Sequence, residues 1–132
     1  MRSKFEKQIA KYLKARNVPF KYEEYSYEYQ EPLRKNRAQC GDCGSTNLLR
    51  TGWYTPDFFL DNGYIIETKG RFTAADRRKM LAVKEKHPKE KIVMLFMRDN
   101  LIHKRSKTHY SDWCMQNGFE YAVGEPLEEW LK

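Results

Sequence analysis

Asp57, Glu67 and Lys69 are the residues of this chain whose types and spacing best suit chemistry. Asp57 follows Pro56 and leads into an apolar run, Phe58 to Leu60, while Glu67-Thr68-Lys69 closes a second run, Tyr64 to Ile66. Between the runs lies Asp61-Asn62-Gly63, and Asn-Gly between apolar segments is a strong short-range hairpin signal. Strand side chains alternate between faces, so Glu67 and Lys69 point the same way and the hairpin folds Asp57 back alongside them. Two carboxylates on rigid strands can hold one or two hard cations such as Mg2+ or Mn2+. The Thr68 carbonyl, water and a phosphate oxygen then fill the remaining positions. A cation placed there acidifies bound water and neutralises charge developing on phosphorus oxygens, which is the chemistry of phosphodiester hydrolysis. Lys69 would orient or help deprotonate the attacking water, or bind the scissile phosphate. The bland alternative is a solvent-facing Glu67–Lys69 pair with Asp57 in a turn. Apolar residues on both sides of the charged group speak against it.

The surrounding elements have to position these groups. Phe5, Ile9, Tyr12 and Leu13 recur at helical spacing, which predicts an amphipathic helix over residues 3–16, ended by Asn17 and Pro19. From Phe20 to Tyr29 aromatic and polar residues alternate with one slip at Glu23-Glu24, which predicts a strand carrying a bulge. The polar stretch from Gln30 to Gly52 is too long for a structureless connector in so small a domain, and is expected to be a functional insertion. Thr73-Ala74-Ala75-Asp76 fits a capping box opening a helix that runs to about Lys86, before His87-Pro88. Ile92 to Met97 is a continuous apolar run, expected as a central strand buried on both faces. A helix over Thr108 to Asn117 stopped by Gly118, a short strand at Glu120 to Val123, and a terminal turn opened by Pro126 complete the pattern. His87 reads as a helix-end residue and Cys114 as a small buried one.

Composition narrows the partner. The 132 residues include 25 Lys plus Arg against 18 Asp plus Glu, a net charge of +7, which favours a polyanion. The length suits one domain over residues 1–132. No apolar run reaches a membrane span and the charged segment Met1 to Lys14 has no apolar stretch after it, so a cytoplasmic protein is expected. Three cysteines, two of them close together as Cys40 and Cys43, suit metal binding in a reducing compartment better than a disulfide framework.

Pro-Asp followed across a hairpin by Glu-x-Lys is the pattern of the PD-(D/E)xK nucleases. A closer resemblance is carried by Tyr54-Thr55-Pro56-Asp57-Phe58, Asn62-Gly63, Glu67-Thr68-Lys69-Gly70, Asp76-Arg77-x-Lys79 and His87-Pro88. Phe20-x-Tyr22-Glu23-Glu24 and the block around Tyr110, Cys114 and Gly118 extend it. In order and spacing these blocks resemble the phage endonuclease I family of Holliday-junction resolvases. The resemblance implies an α/β, restriction-endonuclease-like fold with a central mixed sheet flanked by helices, in an intertwined, domain-swapped homodimer. It implies a Mg2+-dependent endodeoxyribonuclease acting on branched double-stranded DNA, with Asp57, Glu67 and Lys69 catalytic. It also promotes Glu6, otherwise an ordinary surface glutamate, to the remaining catalytic carboxylate, taken from the first helix of the other chain.

Two further groups of residues are candidates. Arg71, Arg77, Arg78 and Lys79, near the catalytic hairpin, and Lys104, Arg105 and Lys107 are candidate phosphate contacts, which give affinity and register without reading sequence. Cys40-Gly41-Asp42-Cys43-Gly44 has the form of a zinc knuckle but supplies only two of the four ligands a structural Zn2+ needs. The other two could come from the same cysteines of a second copy, or from Cys114 plus a histidine; otherwise the pair are reduced thiols. A zinc-knuckle nucleic-acid-binding module without catalysis is the contrasting reading, and the ordered set Asp57, Glu67 and Lys69 argues against it. A related nuclease with a different DNA substrate is the other alternative.

Overall fold

The computed structural model describes residues 3–32 and 49–132. Helix α1, Lys4–Ala15, starts at Ser3, whose hydroxyl accepts the Glu6 amide at 3.1 Å, and buries Phe5, Ile9, Ala10 and Leu13 along one stripe. This is the amphipathic helix its periodicity predicts. Strand β1, Phe20–Tyr22, then enters the main sheet, and β2, Tyr27–Pro32, pairs antiparallel with β3, Leu49–Tyr54, in a separate two-stranded ribbon.

The single bulged strand expected over Phe20 to Tyr29 is therefore two strands in two sheets. Glu23 adopts a left-handed backbone, φ 48°, which turns the chain out of the main sheet after Tyr22. Both strands alternate aromatic and polar residues, so the pattern looked continuous although the pairing is not. The expected insertion at Gln30 to Gly52 also has structured ends, since Gln30 pairs with Thr51 and Tyr29 with Gly52. Residues 33–48, with Cys40, Cys43 and the proposed zinc knuckle, lie outside the described residues.

The hairpin appears as read: β4, Phe58–Leu60, and β5, Tyr64–Lys69, are antiparallel, and Gly63 takes φ 99° in the turn. The Asn62 side chain accepts the Tyr64 amide and donates to the Trp130 and Lys132 carbonyls, tying the turn to the end of the chain. Helix α2, Ala74–Lys86, opens with the expected capping box: Thr73 Oγ1 accepts the Asp76 amide at 3.1 Å and Asp76 accepts the Thr73 amide at 3.0 Å. His87 caps its end, and the His87 ring meets the Glu28 carbonyl at 2.7 Å, fastening α2 to the ribbon. Strand β6, Lys91–Phe96, runs parallel to β5 and is buried from Ile92 onward.

Helix α3, Tyr110–Asn117, begins two residues later than its pattern suggests. Thr108 and His109 are extended instead, with the Thr108 carbonyl accepting the Ile102 amide and His109 bridged to Leu101. Gly118, at φ 73°, ends α3, the left-handed cap that glycine adopts without Cβ strain. Strand β7, Glu120–Val123, and a final turn α4, Glu128–Leu131, follow.

The main sheet has the order β1-β4-β5-β6-β7, antiparallel on the hairpin side and parallel on the other. Its strands alternate between two cores. Phe58, Leu60, Ile66, Val93 and Leu95 pack with α1 and Trp130 on one face. Phe59, Ile65, Ile92, Met94 and Phe96 pack with Met80 and Val83 of α2, Trp113 and Cys114 of α3, and Tyr29 and Tyr54 of the ribbon on the other. The result is a mixed sheet between helical layers, the α/β class expected. Cys114 is fully buried within this core, and that burial pushes its thiol up to about 12. No helix among the described residues is long and apolar enough to cross a membrane.

Candidate active site

Asp57 lies immediately before β4 and Glu67, Thr68 and Lys69 end β5, so the hairpin brings all four to one end of the sheet. The Asp57 carboxylate is fixed by Thr68: Oδ2 accepts the Thr68 amide at 3.0 Å and its hydroxyl at 2.6 Å. Burial raises the Asp57 pKa in spite of these two donors. Glu67 lies deeper, 6% exposed; burial first and the charge of Asp57 second push its carboxyl up to about 8. Its Oε1 accepts the buried Tyr54 hydroxyl at 3.0 Å, and its Oε2 faces Lys69 Nζ at 3.4 Å.

Lys69 stands between two carboxylates, with Asp76 Oδ1 also 3.4 Å from its ammonium. Burial works against that charge, but Glu67 and Asp76 together outweigh it and the pKa rises. Asp76 is depressed although burial opposes it, because the Thr73 amide and Lys69 both favour its charged form. The capping residue of α2 is thus also a partner of the lysine.

Glu6 reaches the same cleft from the other face of the sheet. It sits in the first turn of α1, 9% exposed, and accepts a hydrogen bond from the Tyr22 hydroxyl. Carboxylate oxygens of Glu6, Glu23 and Asp57 lie within 4.8 Å of one another, the one such group of three among the described residues. Glu23 is brought there by its left-handed backbone and by its amide, which donates to the Asp57 carbonyl at 3.0 Å. These groups line a cleft of about 340 Å3 together with Lys79 and Trp53.

Of the residues singled out in the sequence, Glu6, Asp57, Glu67, Thr68, Lys69 and Lys79 therefore meet at one cleft. Lys79 Nζ also stands 5.6 Å over the Tyr54 ring. Arg77 is held at the start of α2, donating to the Phe72 carbonyl at 2.7 Å, and Arg78 is half-buried on the same helix. Arg71 and Lys104 line a separate shallow depression, and Arg105 and Lys107 are exposed on the loop leading to α3. Glu23, Tyr22, Tyr54 and Asp76 stand in the blocks that carry the family resemblance, but the sequence assigned the first three no place at the site and gave Asp76 a role only as a helix cap. The slip at Glu23-Glu24 was a signal of the first. The two tyrosines fall in the quoted blocks, but their bonds to carboxylates distant in sequence have no local signal.

The family model for phage endonuclease I matches residues 45–132. The chain is also 32% identical over 132 residues to Endonuclease I of Escherichia phage T7, an alignment covering 99% of this chain and 78% of that protein. It belongs to the phage endonuclease I family. A second relative, Endodeoxyribonuclease 1 of Enterobacteria phage T3, is 34% identical over 137 residues, 97% of this chain and 80% of that protein. Asp57, Glu67 and Lys69 fall inside the segment matched by the phage endonuclease I model, whereas Glu6 falls before it. Membership makes the chain a nuclease, and the cleft with its buried carboxylates is the part of the molecule suited to that chemistry.

Proposed function

We propose that this chain is a structure-selective endodeoxyribonuclease that resolves four-way (Holliday) and other branched DNA junctions by hydrolysis dependent on Mg2+ or Mn2+. The observation that carries this reading is the meeting of Glu6, Asp57, Glu67 and Lys69 at one cleft. The donor set fits the cation: three carboxylates approach within 4.8 Å, all of them hard oxygen ligands, with Glu67 adjoining. Burial raises both Asp57 and Glu67, and a divalent cation offsets that cost.

Asp57 and Glu67 would hold the metal together with the Thr68 carbonyl, and Glu6 and Glu23, whose carboxylates lie beside that of Asp57, would complete the set. When bound, the cation supplies a more acidic water and neutralises charge on the scissile phosphate. The protein does the positioning. Thr68 locks Asp57 Oδ2, Tyr54 locks Glu67 Oε1 and Tyr22 holds Glu6, so the carboxylates are oriented before substrate arrives. Lys69, between Glu67 and Asp76, keeps its proton and acts as a donor to a phosphate oxygen rather than as the base. Lys79, Arg71, Arg77, Arg78, Lys104, Arg105 and Lys107 would bind flanking phosphates, giving affinity that falls steeply with salt.

The working form is proposed to be a homodimer with exchanged halves. Elements α1, β1 and β2 connect to the rest of the chain only through residues 33–48, so exchanging them between two copies preserves every contact described above. Each site would then take Glu6 from one chain and Asp57, Glu67 and Lys69 from the other. Two such sites suit paired nicks across a four-way junction.

The test is cleavage of a labelled four-way junction beside a linear duplex of equal sequence. Asp57→Asn or Glu67→Gln should abolish cleavage and leave junction binding largely intact; near-normal turnover in either variant would reject the assignment. A heterodimer pairing Glu6→Gln with Asp57→Asn should regain one intact site. A verified heterodimer without activity would reject the exchange.

A further inference from the structure

We propose that Trp53 stacks on the open face of a nucleobase next to the scissile phosphate, and so gives the cleft its preference for DNA whose base stack is interrupted. This rests on the nuclease reading above and adds the substrate feature that the cleft recognises.

Among the three tryptophans, Trp113 and Trp130 are 8% and 0% exposed, whereas Trp53 is 63% exposed. Its position follows from the strand period. Tyr54 turns inward to hold Glu67, so its neighbour Trp53 must turn to the opposite face of the ribbon, beside Glu28 of β2. That face leaves the indole exposed, with no hydrogen bond or ring contact among the described residues. Yet Trp53 also forms a wall of the catalytic cleft, where every other lining residue is charged or carries a hydroxyl.

A ligand matching this wall needs an anionic part for Lys69 and Lys79 and a flat apolar part for the indole. A nucleotide has both, and its apolar part is the face of the base. Within a duplex that face is covered by neighbouring bases; at a branch, nick or single strand it is free, and aromatic stacking is tolerant of base identity. Trp53 therefore favours structure over sequence. The competing occupant is a second copy of this chain, because Leu49, 55% exposed, shares the outer face of β3 with Trp53.

The experiment uses the full chain in EDTA, where binding is read without cleavage, with a four-way junction and a linear duplex of equal sequence as probes. Because Trp53 is the exposed tryptophan, the junction should quench a large part of the emission in the parent protein and little of it in Trp53→Phe. Trp53→Ala should weaken junction binding roughly ten-fold, leave duplex binding within about two-fold, and keep the parent's sedimentation behaviour. Trp53→Phe should bind within a few-fold of the parent. Equal weakening on junction and duplex, quenching retained in Trp53→Phe, or a shift to a smaller species in Trp53→Ala would overturn the proposal, the last in favour of an interface between copies. Asp57→Asn, assayed with Mg2+ in parallel, separates the two claims. If Asp57→Asn is inactive and Trp53→Ala is normal, only the stacking role fails; if Asp57→Asn still cuts, the site assignment itself has failed.

Discussion

The Tyr54 hydroxyl donates to Glu67 Oε1 at 3.0 Å inside the protein, joining the last residue of the ribbon to the carboxylate near the end of β5. This bond favours the charged form of Glu67, against the burial that raises it. Tyr54→Phe should therefore lower Mn2+ or Mg2+ affinity by roughly 10- to 100-fold, the usual cost of losing an outer partner of a metal ligand. It should also move the acid limb of the pH–rate profile upward. Calorimetric metal titration and that profile check it; unchanged values in both would show the bond to be purely structural.

Glu67 also makes the metal-free protein sensitive to pH. Its carboxyl is raised from 4.5 to about 8 in the folded state, so the native protein binds more protons than the unfolded chain between these values. Stability should then be greatest below about pH 4.5 as far as this group is concerned, and fall as pH rises toward 8. Glu67→Gln removes the titration, and at pH 8 should be more stable than the parent by on the order of 2–4 kcal/mol. Added Mg2+ should restore the parent and not the variant. Denaturant melts of both proteins at pH 5 and pH 8 decide it, and parallel pH slopes would refute the claim.

Asp76 has two duties that can be separated. It accepts the Thr73 amide as a helix cap and faces Lys69 Nζ at 3.4 Å. Thr73→Ala should cost about 1 kcal/mol, the usual value for a lost cap, with activity per folded molecule retained. Asp76→Ala should cost a similar amount and also reduce kcat, because Lys69 loses one of its two anchors. Equal kcat in the two variants would confine Asp76 to capping.

Gly52 tests the ribbon. A Cβ there would lie 2.4 Å from the buried Tyr29 ring, which cannot move without disturbing the core it shares with Tyr54. Gly52→Ala should destabilise by about 1–3 kcal/mol, as overpacking does. An unchanged melting temperature would mean that the Tyr29 ring yields to the added methyl without cost to the core.

Elements set by local chemistry were legible from residue types. Asn62-Gly63 fixed the hairpin, Thr73 and Asp76 the start of α2, Gly118 the end of α3, and the apolar run at Ile92 the buried strand. Each depends on residues a few positions apart, so type and spacing suffice. Asp57, Glu67 and Lys69 were legible for the same reason, since a short hairpin leaves little freedom in where their side chains meet.

The break after Tyr22 was not legible, because alternation reports which face a side chain takes and says nothing of which strand its backbone bonds. Hydrogen-bond partners chosen across long separations put β1 beside β4 and β2 beside β3. The same holds for the bonds of Tyr22 to Glu6, Tyr54 to Glu67 and Lys69 to Asp76, and for Trp53 at the wall of the cleft. By itself, then, the sequence picked out Asp57, Glu67 and Lys69, which meet at one cleft, and the short elements that hold them. Only the tertiary structure decided which tyrosines orient the carboxylates and that Glu23 joins them, because those contacts exist only once distant segments have packed on the two faces of one sheet.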